Sequence, residues 1–346
     1  MAGATLALPA QRVGEFLGET LAHAIAVECL GITGMNKKIP KNKGDTVTYR
    51  RYLPYGATTT SANTQNRPAV TANAHLTTEG ATPAIDTITP VDVSVQIQQY
   101  AVLYGFTDKM VDMHEDDIPS EMKQQTGERI GLLREMIRYG ELKGGTNAYY
   151  AGGTTRATVV QTISYNLLSK VARTLLANHG KQITQVLASS PDFDTSSVEA
   201  SYLVFCHTDC EHDIRALPDF IHVSKYASGK KAHELELGSV GRFRFIVSPE
   251  LAGYADAGGA AATSGLYSTT GTSIDVYPMI VVAQEAWGDV ALRGMDSIDP
   301  TWIPVGQKDK NDPLGQRGYV GGKFYQASKV LNQGWMAVVE VGITSL

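Results

Sequence analysis

The stretch Val91-Asp92-Val93-Ser94-Val95-Gln96-Ile97-Gln98 carries the cleanest alternation of apolar and polar residues in the chain. Successive side chains of a β-strand point to opposite faces, so this period of two predicts a strand with one apolar face. An earlier run, Asp45 to Leu53, alternates in the same way but has only one weakly apolar side. We interpret the two runs as the paired strands of a long two-stranded arm.

The segment between these strands, residues 56–90, is dominated by Thr, Ala, Asn, Gly and Pro and cannot build a core of its own. An insertion of this length without secondary structure is unusual inside a compact domain. Two-stranded ribbons are also marginally stable alone in water. We therefore expect the arm to reach away from the body with a polar tip and to lie on a neighbouring subunit.

The N-terminal stretch from Val13 to Leu30 is apolar at helical spacing, which predicts an amphipathic helix with one sticky stripe. Four polar or charged residues interrupt it and argue against a membrane span, namely Glu15, Glu19, His23 and Glu28. Such a stripe needs a partner surface. The Lys- and Gly-rich residues that follow, 34–44, are predicted to form an extended strap.

A long helix is predicted over about residues 117–143, between an acidic, proline-marked start and the stop at Gly144-Gly145. We expect it to lie as a spine across a sheet. Beyond Tyr149 the pattern becomes mixed, which gives an α+β fold class. The predicted elements there are a helix over 167–176, a second helix over 209–217, and strands at 202–206, 243–247, 277–283, 320–329 and 335–343.

The composition argues against a generic nucleic-acid-binding protein. The chain has 30 Lys and Arg against 35 Asp and Glu, a formal net charge of -5 over 346 residues, and so lacks the basic excess that drives phosphate binding. If the protein is associated with nucleic acid, we expect it to enclose the nucleic acid without binding its phosphates directly. Three cysteines, Cys29, Cys206 and Cys210, are too few for a disulfide framework and fit a reducing cytoplasm.

The sharpest chemical cluster contains four weak candidates for metal ligands, Cys206, His207, Cys210 and His212. Because no second Cys/His pair exists elsewhere, we favour a reading in which both cysteines face the core and both histidines reach solvent. The acidic residues between Asp108 and Asp117, with His114, are better explained by helix capping than by catalysis. No nucleophile motif is present, and no catalytic residue and no cofactor are predicted.

Several segments, in order along the chain, resemble the N-four-type major capsid proteins, a branch of the tailed-phage coat proteins. The segments that carry the resemblance are Ile39-Pro40-Lys41-Asn42-Lys43-Gly44-Asp45-Thr46-Val47, Thr78-Glu79-Gly80-Ala81-Thr82-Pro83, Tyr104-Gly105-Phe106-Thr107-Asp108, the strand from Gly238 to Glu250, and Asp312-Pro313-Leu314-Gly315-Gln316 followed by Gly321-Gly322-Lys323-Phe324-Tyr325.

This resemblance implies the Hong Kong 97 fold, with its N-terminal arm, extended loop, peripheral domain and axial domain. Residues 1–44 would be the arm and 45–100 the extended β-hairpin loop. Residues 101–164 and 319–346 would form the peripheral domain with the spine helix, and the mixed α/β residues 165–318 the axial domain.

The implied function is that of a shell subunit, made in the bacterial host cytoplasm, that forms the pentamers and hexamers of an icosahedral phage head. Its partners would be copies of itself and enclosed double-stranded DNA, with portal, scaffolding and decoration proteins as further candidates and no membrane. The candidate assembly residues are Phe16, Leu17, Leu21, Ile25, Arg50, Arg51, Asn63, Asn66, Arg67 and Glu79.

Three alternatives stay open at this point. An encapsulin-like nanocompartment shell would share the fold and enclose a cargo enzyme instead of DNA. A hydrolase would draw on His207, His212 and the acidic group near His114. A tail or decoration protein is the third.

Overall fold

Two β-sheets and a separate two-stranded ribbon organise the described part of the chain. The computed structural model describes residues 28–40, 44–53, 72–80, 82, 85, 88–113, 118–187, 195–226, 231–261, 265–292, 298–308, 310 and 312–346. The helices there are α1 (Asp108–Met113), α2 (Ile118–Leu142), α3 (Tyr165–Ala177) and α4 (Glu211–Arg215). None of these described helices combines the length and the apolar character that a membrane crossing requires.

The strands are numbered in chain order. They are β1 (Met35–Ile39), β2 (Thr46–Tyr52), β3 (Pro90–Gln96), β4 (Gln98–Thr107), β5 (Ala148–Tyr150), β6 (Ile183–Leu187), β7 (Thr195–His207), β8 (Ile221–His222), β9 (Glu236–Val240), β10 (Phe243–Ser248), β11 (Tyr277–Val282), β12 (Trp287–Leu292), β13 (Asp299–Ile303), β14 (Arg317–Val330) and β15 (Met336–Val341).

The larger sheet has eight strands in the order β5-β15-β11-β7-β10-β9-β8, with β6 also paired to β7. Its central strands are buried on both faces because helices or a second sheet cover each side. Along β7, Tyr202 and Val204 enter one hydrophobic core, while Leu203 and Phe205 enter the other. A strand buried on both faces reads as a continuous apolar run, as the sequence has it here.

Helix α3 covers the first of these faces with Leu168, Val171 and Leu175, which are buried at helical spacing. The Ser164 side chain caps the helix by accepting a hydrogen bond from the Leu167 amide. At the other end His179 takes a φ of 58°, which stops the helix close to the predicted position.

The smaller sheet has five strands, in the order β1-β12-β14-β13 with β4 also paired to β14. The 25-residue helix α2 lies across it, with Ile130 packed between Val102 and Phe324. A long helix is thus present close to the predicted bounds, and its role as the spine helix of a peripheral domain stays a prediction. The helix ends before Gly145, where a side-chain carbon would stand 2.4 Å from the Met336 methyl group.

Strands β2 and β3 form the ribbon, paired antiparallel from Thr46↔Gln96 to Tyr52↔Pro90. The predicted pairing of the two alternating runs is therefore confirmed. The strap prediction needs a correction, because residues 35–39 form β1 and pair in parallel with β12 inside the body. The backbone of residues 35–39 is extended, as expected, but these residues are a strand of the small sheet and not a free strap.

Sheet membership crosses two of the domain boundaries predicted from the sequence. Strands β12 and β13, assigned to the axial part, pair with β14 of the peripheral part, and β15 joins the large sheet instead. The reason is the turn at 333–335, which passes the chain from one sheet to the other. The division into domains stays a prediction.

Candidate assembly surfaces

The base of the ribbon is fixed to the small sheet by a compact apolar cluster. Tyr49 and Val95 are buried there against Ile39, Val290 and Ala327. Burial, together with the charge of Asp289, raises the pKa of Tyr49 to about 12. The ribbon therefore leaves the body from a defined point and in a defined register.

The other face of the ribbon is polar and open to solvent. The Arg50 guanidinium donates two hydrogen bonds of 2.7 Å to the Asp92 carboxylate directly opposite it, which holds the pKa of Asp92 below its usual range. The predicted assembly residue Arg50 is thus paired within its own ribbon. Arg51 lies on the other face, where burial lowers its pKa.

Large apolar side chains are exposed at Tyr52, where β2 ends, and in the segment that joins β2 to β3. The exposed fractions are 62% for Tyr52, 77% for Leu76, 90% for Ile85 and 77% for Ile88. Glu79 lies in an exposed turn of the same segment. The predicted assembly residues Asn63, Asn66 and Arg67 lie outside the described residues.

A network of buried charges holds the residues that follow the N-terminal stretch. The fully buried Arg138 of α2 donates to Glu28 at 2.6 Å and to Asp289 of β12 at 2.8 Å, and Arg134 approaches Glu28 at 3.0 Å. Burial would lower the pKa of Arg138, but Glu28, Asp289 and Glu135 together raise it above its ordinary value. Arg138 therefore stays charged and joins three parts of the fold.

Glu135 adds a second anchor one turn away on α2. Its Oε1 accepts hydrogen bonds from the Cys29 amide at 3.0 Å, the Leu30 amide at 2.9 Å and the Cys29 thiol at 2.9 Å. Burial raises the pKa of Glu135, although Arg138 opposes that effect. The exit point of the N-terminal stretch is thus fixed to the spine helix. The candidate residues of that stretch, Phe16, Leu17, Leu21 and Ile25, lie outside the described residues.

The four candidate metal ligands diverge. Cys206 and Cys210 are fully buried in the core under α3, and burial raises the pKa of each thiol. His207 accepts a hydrogen bond from the Asp209 amide and its ring lies tilted at 45° against that of Tyr277, whereas His212 is exposed. Within the described ranges, no group of three or more His, Cys, Asp or Glu side chains has the geometry of a metal site.

The acidic group is only partly described, because residues 114–117 lie outside the described ranges. Asp108 begins the short helix α1, which the sequence did not predict, and its Oδ1 accepts a hydrogen bond from the Lys109 amide at 2.7 Å. This contact is a local one at a helix start.

Sequence reasoning missed the buried charge network. Its partners are 110 residues apart for Glu28 and Arg138, and 151 residues apart for Arg138 and Asp289. No local spacing rule connects such residues. The one available signal was a pair of opposite charges, Glu135 and Arg138, on the same face of a helix whose neighbours are apolar.

The comparisons with known proteins agree with one another. A family model described as "Phage capsid protein" matches residues 90–309. The major capsid protein of Pseudomonas phage KPP21 is 21% identical over 267 residues, which cover 71% of this chain and 66% of that protein. The match thus spans slightly less than two thirds of that relative's length.

Solved structures give the same fold. The capsid of Ralstonia phage GP4 has a TM-score of 0.62 at 12% identity and matches over 90% of this chain and 87% of that one. The head structure of Helicobacter pylori bacteriophage KHP40 has a TM-score of 0.58 at 9% identity, over 92% and 89%. The matched family and relatives are structural capsid proteins and not enzymes. Since the family model covers more than half of the 346 residues, the chain belongs to the phage capsid protein family.

Proposed function

We propose that this protein is the major capsid protein of a tailed phage. In this proposal copies of the chain assemble into the pentamers and hexamers of an icosahedral head that encloses double-stranded DNA. Its fold would be of the Hong Kong 97 type, with the ribbon as the extended loop and α2 as the spine helix. The match to phage capsid structures over most of the chain supports the fold.

The observation that carries the proposal is the exposure of the apolar residues at the end of β2 and in the segment that joins β2 to β3. Burial of a large apolar side chain in a packed contact contributes about 1.5–3 kcal/mol of stabilising free energy. Tyr52, Leu76, Ile85 and Ile88 are mostly exposed in the single chain, so that stabilisation is not realised there. A neighbouring subunit that covers the ribbon would supply it, repeated at every contact of a closed shell.

The charge balance fits a container for DNA. With a formal net charge of -5, the protein lacks the positive excess that would make packaged DNA adhere to the wall. In the same proposal the shell is held by many weak contacts, because each subunit is fixed by several neighbours at once. Portal, scaffolding and decoration proteins would join this shell in the host cytoplasm.

Electron microscopy of the purified chain tests the proposal directly, and closed icosahedral particles are expected. Deletion of Thr58 to Thr82 should abolish these particles and leave a folded subunit with unchanged circular dichroism. Intact shells from the deletion variant would refute the role of the ribbon. Particles that hold a cargo enzyme instead of DNA would favour the encapsulin-like alternative.

A pair of point substitutions makes the same test without shortening the chain. Ile88→Asp, two residues before β3, should lower the yield of closed particles at least tenfold, because a charge would then enter the proposed subunit contact. Leu346→Asp is the matched control, since Leu346 is 90% exposed, against 77% for Ile88, and follows β15 of the large sheet, whereas the ribbon is fixed to the small sheet. Equal particle yields from the two variants would contradict the proposed contact.

A further inference from the structure

A groove of about 430 Å³ lies between α3 and the turn that joins β9 to β10. It exists because α3 carries two apolar rows. The row of Leu168, Val171 and Leu175 packs into the core, and a second row one step around the helix lines the groove. In that second row Tyr165 is 43% exposed and Leu176 41% exposed.

The groove has an apolar floor and a basic rim. Leu168, Val240 and Phe243 form the floor, and the exposed guanidinium groups of Arg173 and Arg242 stand at the edge. In the part of the chain that the structure describes, neither arginine has a carboxylate within ion-pair distance. An apolar floor with a positive rim fits an amphipathic segment that carries negative charge beside its apolar stripe.

We propose that this groove receives residues 13–25 of a second copy of the chain. The inference deepens the proposed shell function and rests on it. The segment has the required chemistry, since its apolar residues recur at helical spacing and Glu15 and Glu19 lie one turn apart, towards the Phe16 side of the stripe.

The lengths also agree. At a rise of about 1.5 Å per residue, a helix from Val13 to Ile25 is roughly 18 Å long, and the distance from Tyr165 to Leu176 along α3 is roughly 16 Å.

The occupant comes from a second copy because its own groove is out of reach. Glu28 is held by Arg138, and Cys29 and Leu30 pack in the core on the face of the large sheet that α3 does not cover. Ile25 is three residues from Glu28, so it lies within about 11 Å of it even when the chain is fully extended. Layers pack about 10 Å to either side of a sheet, so the groove is on the order of 20 Å away. Ile25 therefore cannot lie in the groove of the same chain, and the full length of the stripe can fill the groove only from a second copy.

Cysteine crosslinking between differently labelled chains tests the proposal. One full-length variant carries Leu21→Cys and the other carries Leu176→Cys, and the two are assembled together and oxidised mildly. The native cysteines are all buried, which keeps the background low. We expect a disulfide-linked heterodimer on a non-reducing gel, at least fivefold above the yield with Leu314→Cys, a leucine that is 72% exposed and far from the groove in sequence.

Charge reversal supplies a second measurement that does not depend on cysteine reactivity. Arg173→Glu in the Leu176→Cys chain should lower the heterodimer yield at least threefold, and Glu19→Arg in the Leu21→Cys chain should restore it. Tyr165→Cys serves as a second acceptor position.

The two proposals fail in different ways. Closed particles without crosslinks above the Leu314→Cys control would overturn the groove assignment and leave the shell function standing. A crosslink that forms only within one chain carrying both cysteines would overturn it as well. If no particles form from the unmodified chain, the shell function fails and the groove assignment fails with it.

Discussion

Replacement of Arg138 by Met should strongly destabilise the subunit. The guanidinium is fully buried and forms contacts of 2.6 Å with Glu28 and 2.8 Å with Asp289. Its removal takes the Arg138 counter-charge from both carboxylates in a buried site, although Glu28 keeps its contact with Arg134 at 3.0 Å. Loss of one partner of such a pair costs about 3–5 kcal/mol, because an uncompensated charge remains. Against a typical total of about 5–15 kcal/mol, the unfolded fraction should rise at least about a hundredfold.

The assay is urea unfolding of the unassembled subunit, followed by tryptophan fluorescence, because the buried Trp287 precedes Asp289 on β12 by two residues. Arg215→Met is the matched control, since Arg215 pairs with Glu211 at the surface and such pairs contribute about 0–1 kcal/mol. Adding Glu28→Gln to Arg138→Met should recover part of the loss, because it removes one of the orphaned charges. The reasoning is refuted if Arg138→Met costs no more than the control.

Three further predictions concern single side chains. Gly140→Ala in α2 should stabilise the subunit by up to about 1 kcal/mol, because no atom outside the helix's own backbone lies within 4 Å of the added carbon. Gly321→Ala should cost about 1–3 kcal/mol, because its added carbon would stand 2.3 Å from the Val102 carbonyl oxygen. The urea unfolding midpoints of both variants check these signs, and equal shifts would contradict the packing described. Burial raises the pKa of Glu135, so its folded form binds a proton more readily than the unfolded chain, and its contribution to stability should fall as the pH rises from the ordinary carboxyl pKa through the raised one. Glu135→Gln should remove that slope from unfolding free energies measured between those values, and an unchanged slope would exclude Glu135 as its source. Cys206 and Cys210 should not react with a thiol reagent until the subunit unfolds, and fast labelling of the native protein would show that they are accessible.

The ribbon and the spine helix could be predicted because their signals are local. The alternation at Val91 to Gln98 fixed both the strand and its face, and Gly144-Gly145 marked the helix end within two residues. The alternation at Phe243 to Val247 was less informative, because β10 is buried on both faces and pairs in parallel with β7. Periodicity within a strand does not report which distant strand becomes its neighbour.

The anchoring of the N-terminal stretch could not be predicted for a related reason. Glu28, Arg138 and Asp289 each look like ordinary surface residues in their own segments, and only the tertiary fold brings them together. The same limit explains why residues 35–39 were expected in an arm. Met35-Asn36-Lys37-Lys38-Ile39 has little apolar character, and its partner β12 lies about 250 residues further along the chain. Both candidate cysteines lie in the core, and of the two candidate histidines His212 is exposed whereas His207 is half-buried against Tyr277, a contact 70 residues away that no local pattern predicts.

The pairing of β4 with β14 bears on how a strained shell would carry load. Strand β4 follows the ribbon after a single residue and pairs with β14 from Gln98↔Gln326 to Thr107↔Arg317. A pull on the ribbon therefore enters the body lengthwise along β4, and the hydrogen bonds of an antiparallel ladder stand perpendicular to that direction. All of these hydrogen bonds then resist the force together, in shear, instead of breaking one after another. In the proposed shell, a force along the ribbon would therefore load this ladder in the direction in which it resists best.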